Sequence, residues 1–133
     1  MVVWTNGCFD ILHRGHIEML EYARSLGNHL VVGIDKDERV KESKGDSRPI
    51  NTFKDRAYVL QALSCVDLVV GFDSDKKLTT IIKSLGPDIM VIGSDWKGKE
   101  IIGSEHAKEV KFFDRIEGYS TTEIIEKSVA HNQ

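Results

Sequence analysis

Cysteine is scarce in this chain, with only Cys8 and Cys65 among 133 residues. Two thiols are too few for a disulfide framework, and neither stands in a Cys-x-x-Cys or Cys/His spacing that suggests zinc. Cys65 reads as a small core residue. Long apolar runs are missing as well: the longest, such as Val66 to Val70 interrupted by Asp67, fall far short of the roughly 20 residues that a membrane helix needs. No membrane span is expected. A strong excess of either charge is also absent, since 18 basic residues stand against 21 acidic ones for a formal net charge of -3. Without a basic stripe or polybasic tail, nucleic acid is a poor partner. The opening Met1-Val2-Val3-Trp4 has neither the basic region nor the small-residue cleavage site of a secretory leader, so a cytoplasmic address is the expectation. There is no internal repeat and no low-complexity segment.

What remains is a chain sized for one domain with a real core, and a single domain over residues 1–133 is expected. Apolar, β-branched runs alternate with segments of helical period, which is the pattern of a parallel sheet covered by helices. Strands are predicted at Val2 to Thr5, His29 to Ile34, Asp67 to Phe72, Asp88 to Gly93 and Val110 to Phe113. The continuous Leu30-Val31-Val32 suggests a strand buried on both faces. Helices are predicted where Met19, Leu20, Ala23 and Leu26 recur before Gly27, where Phe53, Ala57, Leu60 and Leu63 recur, and where Leu78, Ile81, Ile82 and Leu85 recur before Gly86-Pro87. A last helix is expected to start near Ser120. The charged stretch from Asp35 to Asn51, with Gly45 and Pro49 as breakers, reads as a helical turn followed by a long mobile loop. Ser94 to Ser104 reads as a polar loop.

The first strand runs into Thr5-Asn6-Gly7-Cys8-Phe9-Asp10-Ile11-Leu12-His13-Arg14-Gly15-His16, which sets two histidines three apart at a strand-to-helix junction. Ligands of open α/β sheets bind outside the carboxyl ends of the strands, and a helix N-terminus offers free N–H groups and partial positive charge to a phosphate. His13 and His16 share one helical face, and Gly15 lets a phosphate approach the backbone. The pair can donate hydrogen bonds to charge developing on phosphoryl oxygens. Two other readings stay open: the histidines cap or pack the helix start, or Asp10, His13 and His16 ligate a metal. Near the other end, Ser120-Thr121-Thr122-Glu123 is a capping box whose spare hydroxyls can also grip phosphates. Arg115 before it suits phosphate oxygens or a surface ion pair. The loop holding Lys41, Lys44 and Arg48 is either a solvated run or a phosphate-closing one. Trp96 either packs under its loop or contacts a base or ribose.

These segments resemble, in order, the signatures of the cytidylyltransferase-like family of His-x-Gly-His nucleotidyltransferases. Gly7, Phe9, Asp10, His13, Gly15 and His16 match the family's Gly-x-Phe-Asp-x-x-His-x-Gly-His. Arg115 through Thr122 look like its Arg-x-x-Gly-x-Ser-Thr-Thr. Lys44-Gly45-x-x-Arg48-Pro49-x-Asn51 is similar to the adenylyltransferase domain of ADP-heptose synthases, as is Ile102-Gly103-Ser104-Glu105. Asp95-Trp96 resembles a run in glycerol-3-phosphate cytidylyltransferases instead. Departures from the heptose branch stand at Ile92, where lysine is usual, and at Lys76-Lys77, where Thr-Pro is usual.

The resemblance implies a Rossmann-like three-layer α/β sandwich with a five-stranded parallel sheet. It implies an enzyme that moves NMP from ATP or CTP to a phosphorylated sugar or polyol and releases pyrophosphate, most like a heptose 1-phosphate adenylyltransferase, with glycerol-3-phosphate cytidylyltransferase as the alternative. Catalytic roles then go to His13, His16, Lys44 and Arg115. Nucleotide contacts go to Gly7, Cys8, Phe9, Gly15, Asp95, Ser120, Thr121 and Thr122. Substrate contacts go to Asp10, Lys41, Arg48, Arg56 and Trp96, with Arg56 facing a phosphate of the acceptor. Mg²⁺ is expected with the triphosphate, with Asp10 as an outer contact, and a homodimer is a further expectation. A nucleotide-binding regulatory module of the same fold and a metal-dependent hydrolase are the rivals from other classes.

Overall fold

A computed structural model describes residues 1–114 and Ile125. Among these residues the elements run β1 (Val2–Gly7), α1 (Arg14–Ser25), β2 (His29–Asp35), α2 (Asp37–Lys44), α3 (Phe53–Gln61), β3 (Leu68–Phe72), α4 (Asp75–Leu85), β4 (Ile89–Gly93) and β5 (Glu109–Phe113). All strand pairs are parallel, and the sheet order is β3-β2-β1-β4-β5. The fold class is the one that the alternating runs and the resemblance predict. Among the described residues no helix is long and apolar enough to cross a membrane.

Alternate residues of each strand feed opposite faces of the sheet, which makes three layers. Val3, Leu30, Val32 and Val91 pack with Leu20 and Ala23 of α1 and Leu60 of α3. Trp4, Val31, Met90 and Ile92 pack with Leu78 and Ile82 of α4 on the other side. Trp4 is fully buried, and its ring lies where a Cβ on Gly33 would stand 2.5 Å away, so β2 has glycine where the indole crosses it. Local chemistry sets the helix ends. The Thr52 and Ser74 side chains accept the backbone N–H groups of Asp55 and Lys77 at the starts of α3 and α4, and Gly86, in the left-handed conformation, ends α4.

Two differences from the sequence reading concern the site. β1 continues to Gly7, because its pairing with β2 runs on to Gly7 opposite Ile34. The stretch after β2 is a two-turn helix, α2, rather than a single turn and a loop. Asp37 and Glu38 begin α2 and Lys41 and Lys44 end it, which suits the helix dipole, while Val40 alone is buried. One apolar residue in eight gives no helical period to read.

The strand order reverses between β1 and β4. The carboxyl ends of those two strands therefore flank the crevice where open α/β sheets bind ligands. The turn after β1 opens onto one side of it, and Ser94–Trp96, a 3-10 turn after β4, onto the other.

Candidate active site

The turn between β1 and α1 brings the two histidines into mutual contact. His13 is the N-cap of α1, and its side chain accepts the backbone N–H of His16 through Nδ1 at 3.4 Å. The His16 Nδ1 accepts the backbone N–H of His13 in return at 3.3 Å. The rings stack with centroids 3.8 Å apart, and Phe9 flanks His16 at 5.3 Å. This is a capping box built from histidine in place of the usual Ser/Thr and Glu/Gln. Because each Nδ1 accepts a hydrogen bond, the neutral rings carry their proton on Nε2. Both histidines are thereby set as Nε2–H donors at a helix N-terminus. Capping and ligand donation, open alternatives in the sequence, are compatible because they use different ring nitrogens.

Burial, aided by the His13 ring and the Lys44 ammonium, pushes the His16 pKa down from 6.5 to about 4. The same ammonium, with Arg56, acts on the Cys8 thiol, although burial dominates there and raises its pKa. Lys44 ends α2 and is exposed, yet it lies close enough to bear on both groups at the β1–α1 turn. Lys41, one turn earlier, pairs with Glu38 at 3.5 Å.

Asp10 and Arg56, which the resemblance gave to the substrate, are both buried in hydrogen-bond networks. The Asp10 carboxylate is fully buried. It accepts the backbone N–H groups of Ile50 (2.7 Å) and Asn51 (2.8 Å) and the Arg48 Nε (3.1 Å), while Asn51 Nδ2 donates to the Asp10 carbonyl. Arg56, also fully buried, donates to the carbonyls of Asn51, Cys8 and Asp35 and to the Asp37 carboxylate at 2.7–3.0 Å. These groups tie the segment from 45 to 52 to the site turn and to the end of β2. Four of the five Arg56 N–H groups thus face protein acceptors. Asn51, part of the Lys-Gly-x-x-Arg-Pro-x-Asn motif, completes this network with Asp37, which was missed in the sequence because its partners lie 16 and 19 residues away.

Gly7 closes β1 against the Phe9 ring, and Gly15 sits between the histidines as the second residue of α1. Asp95 and Trp96 are exposed at the end of β4, with the Lys99 ammonium 5.8 Å from the Trp96 ring centre. They share the carboxyl edge of the sheet with the histidines. Arg115, Ser120, Thr121 and Thr122 lie outside the described residues.

Residues 4–127 match the cytidylyltransferase-like family. The chain belongs to that family. It is 55% identical over 126 residues to the Bifunctional protein HldE of Campylobacter fetus, and 54% identical to that of Helicobacter pylori (strain Shi470). In each case the match covers 95% of this chain and 27% of the relative. The chain thus spans about a quarter of the length of the curated relatives it matches. Among solved structures, a lipopolysaccharide core biosynthesis protein from Thermoplasma volcanium superposes with a TM-score of 0.68 at 26% identity, over 90% of this chain and 98% of that one. A pantothenate synthetase from Thermus thermophilus shares the fold at a TM-score of 0.56 and 16% identity, over 86% of this chain and 56% of that one.

The depressed His16 pKa of this cytidylyltransferase-like chain predicts how its stability depends on pH. Unfolded, His16 takes a proton near 6.5, whereas folded it does so near 4. Between those values the unfolded state binds more protons, so stability falls as pH drops through the window and this loss is complete below about 4. A thermal melting series from pH 7 to 4 checks it. The wild type should lose Tm more steeply than His16→Asn, and parallel curves would remove His16 as the cause.

Proposed function

We propose that the chain transfers AMP from ATP to the phosphate of a sugar phosphate of the heptose 1-phosphate type, releasing pyrophosphate. The observation that carries this reading is the reciprocal histidine cap, which fixes two Nε2–H donors side by side at a helix N-terminus within reach of the Lys44 charge. Similarity to the HldE proteins over 95% of the chain, with the Lys44-Gly45-x-x-Arg48-Pro49-x-Asn51 loop, favours the heptose branch and ATP over glycerol 3-phosphate and CTP.

In the reaction an acceptor phosphate oxygen attacks the α-phosphorus with its lone pair. A new P–O bond forms, the bond from the α-phosphorus to the bridging oxygen breaks, and pyrophosphate leaves in line with that electron pair. The second pKa of a phosphate monoester is about 6, so the nucleophile is already ionised at neutral pH and needs no general base. Little covalent work falls to the protein, and positioning with charge stabilisation supplies the rate. The neutral imidazoles of His13 and His16 donate from Nε2 to oxygens on which negative charge builds, and Lys44 closes over the triphosphate. The raised pKa of Cys8 keeps it a thiol, which suits direct transfer without a covalent enzyme intermediate.

Mg²⁺ would enter with the triphosphate, whose oxygens supply most of its ligands. Among the described residues no three His, Cys, Asp or Glu side chains cluster to hold a metal, and the Asp10 carboxylate accepts three protein donors. The described side chains do not fit a metal shell, and no step is assigned to one.

The test is a matrix of ATP, CTP, GTP and UTP against heptose 1-phosphate and glycerol 3-phosphate, read as pyrophosphate. Turnover confined to ATP with the sugar 1-phosphate is expected. Turnover of CTP with glycerol 3-phosphate would move the chain to the other branch, and no pyrophosphate from any pair would leave a nucleotide-binding module.

A further inference from the structure

An arginine binds a carboxylate best as a fork, with Nε and Nη2 closing on its two oxygens. Arg48 closes on Asp10 with one tine only. Its Nε reaches Oδ2 at 3.1 Å, while Oδ1 accepts the Asn51 backbone N–H at 2.8 Å and makes no bond with Nη2. Nη2 is left buried with no hydrogen-bond partner, the one such side-chain nitrogen or oxygen among the described residues. A buried donor without an acceptor costs about 1–3 kcal/mol. Such a group in a binding site calls for an explanation, and an oxygen supplied by a ligand is one.

The surroundings say which ligand. The β1/β4 crevice, with Asp95 and Trp96 on its far rim, is where the nucleoside belongs by topology. Arg48 sits on the opposite flank of β1, in the segment that joins α2, after β2, to α3, which packs on β2 and β3. With the phosphates over the start of α1 between the two, this flank is left for the acceptor. The chemistry narrows further. Arg48 is charge-matched by Asp10, and an anionic oxygen on Nη2 would stand beside that carboxylate. A neutral hydroxyl meets no such repulsion, whereas Lys44, among the described residues, makes no ion pair. We propose that Arg48, through Nη2, recognises a hydroxyl on the sugar of the phosphorylated acceptor and so sets acceptor specificity. Arg48 is thus separate from the residues that hold phosphate. This inference rests on the proposed acceptor class.

Calorimetric binding to the wild type, Arg48→Lys and Arg48→Gln tests it, with three probes: a non-hydrolysable ATP analogue, heptose 1-phosphate in its presence, and inorganic phosphate. Lysine keeps a cation beside Asp10 without the second tine, and glutamine keeps a neutral donor. Whichever variant binds the ATP analogue within about 2-fold of wild type is the one read. The Kd for heptose 1-phosphate should rise at least 10-fold while that for inorganic phosphate stays within about 2-fold. Equal losses for both would make Arg48 a phosphate contact and overturn the assignment, as would an unchanged Kd for the sugar phosphate. So would loss of the ATP analogue by both folded variants. A wild type that binds the nucleotide but no sugar phosphate would instead refute the acceptor class itself, before any variant is compared.

Discussion

His16→Ala should lower kcat by about 100-fold or more while the protein stays folded, the loss expected for one preorganised donor to a developing oxyanion. Two effects of the substitution have to be separated. Alanine removes the Nδ1 that accepts the His13 N–H and so breaks the reciprocal cap, a change worth about 1 kcal/mol of helix stability. It also removes the Nε2–H donor. The first effect appears as a modest drop in Tm and the second as lost turnover with a smaller change in nucleotide KM, because charge on the phosphoryl oxygens grows towards the transition state. His13 keeps its bond to the backbone N–H of residue 16 in this variant, so one cap survives. Steady-state pyrophosphate release with ATP and a sugar 1-phosphate, alongside circular dichroism, gives both readings. Activity within a few-fold of wild type would reduce His16 to a capping residue.

That experiment separates two roles which the sequence could not. A histidine pair at spacing three is legible because both residues lie on one turn of one helix. Their proximity follows from local geometry alone. Which ring nitrogen faces the ligand was not legible, because it depends on a cap that histidine seldom provides. The strands and the amphipathic helices were legible for the same local reason, each declaring itself by period. α2 was not, since seven of its eight residues are polar and its support comes from charge placement at its ends.

Tertiary distance explains the rest. Nothing local tells that Asp10 will be fully buried against a segment 38 to 41 residues away, or that Arg56 will span 48 residues to the Cys8 carbonyl. Resemblance marked both residues as ligand contacts. Their buried bonds also hold the Lys44 end of α2 and the Arg48 segment in register with the histidines. A cationic segment between two helices would otherwise have to be ordered at the moment of binding, at an entropic cost of about 1–2 kcal/mol per residue.

Arg56→Ala should therefore act first on stability. The substitution leaves the carbonyls of Cys8, Asp35 and Asn51 without their donor and the Asp37 carboxylate without its cation. Breaking a buried charged network by removing one partner costs about 3–5 kcal/mol, which for a chain of this size lowers Tm by on the order of 10 °C. Arg56→Lys should rescue little. An ammonium on a flexible stem cannot reproduce three nitrogens fixed in one plane and aimed at four acceptors. Below its melting temperature the alanine variant should lose kcat and raise the KM for both substrates, since Lys44 and Arg48 are displaced together. A residue that only touched an acceptor phosphate would behave in the opposite way, raising the acceptor KM alone and leaving Tm where it was. Differential scanning calorimetry with two-substrate kinetics tells these apart. An unchanged Tm with a selective rise in acceptor KM would return Arg56 to the substrate and leave the Lys44 segment without its anchor.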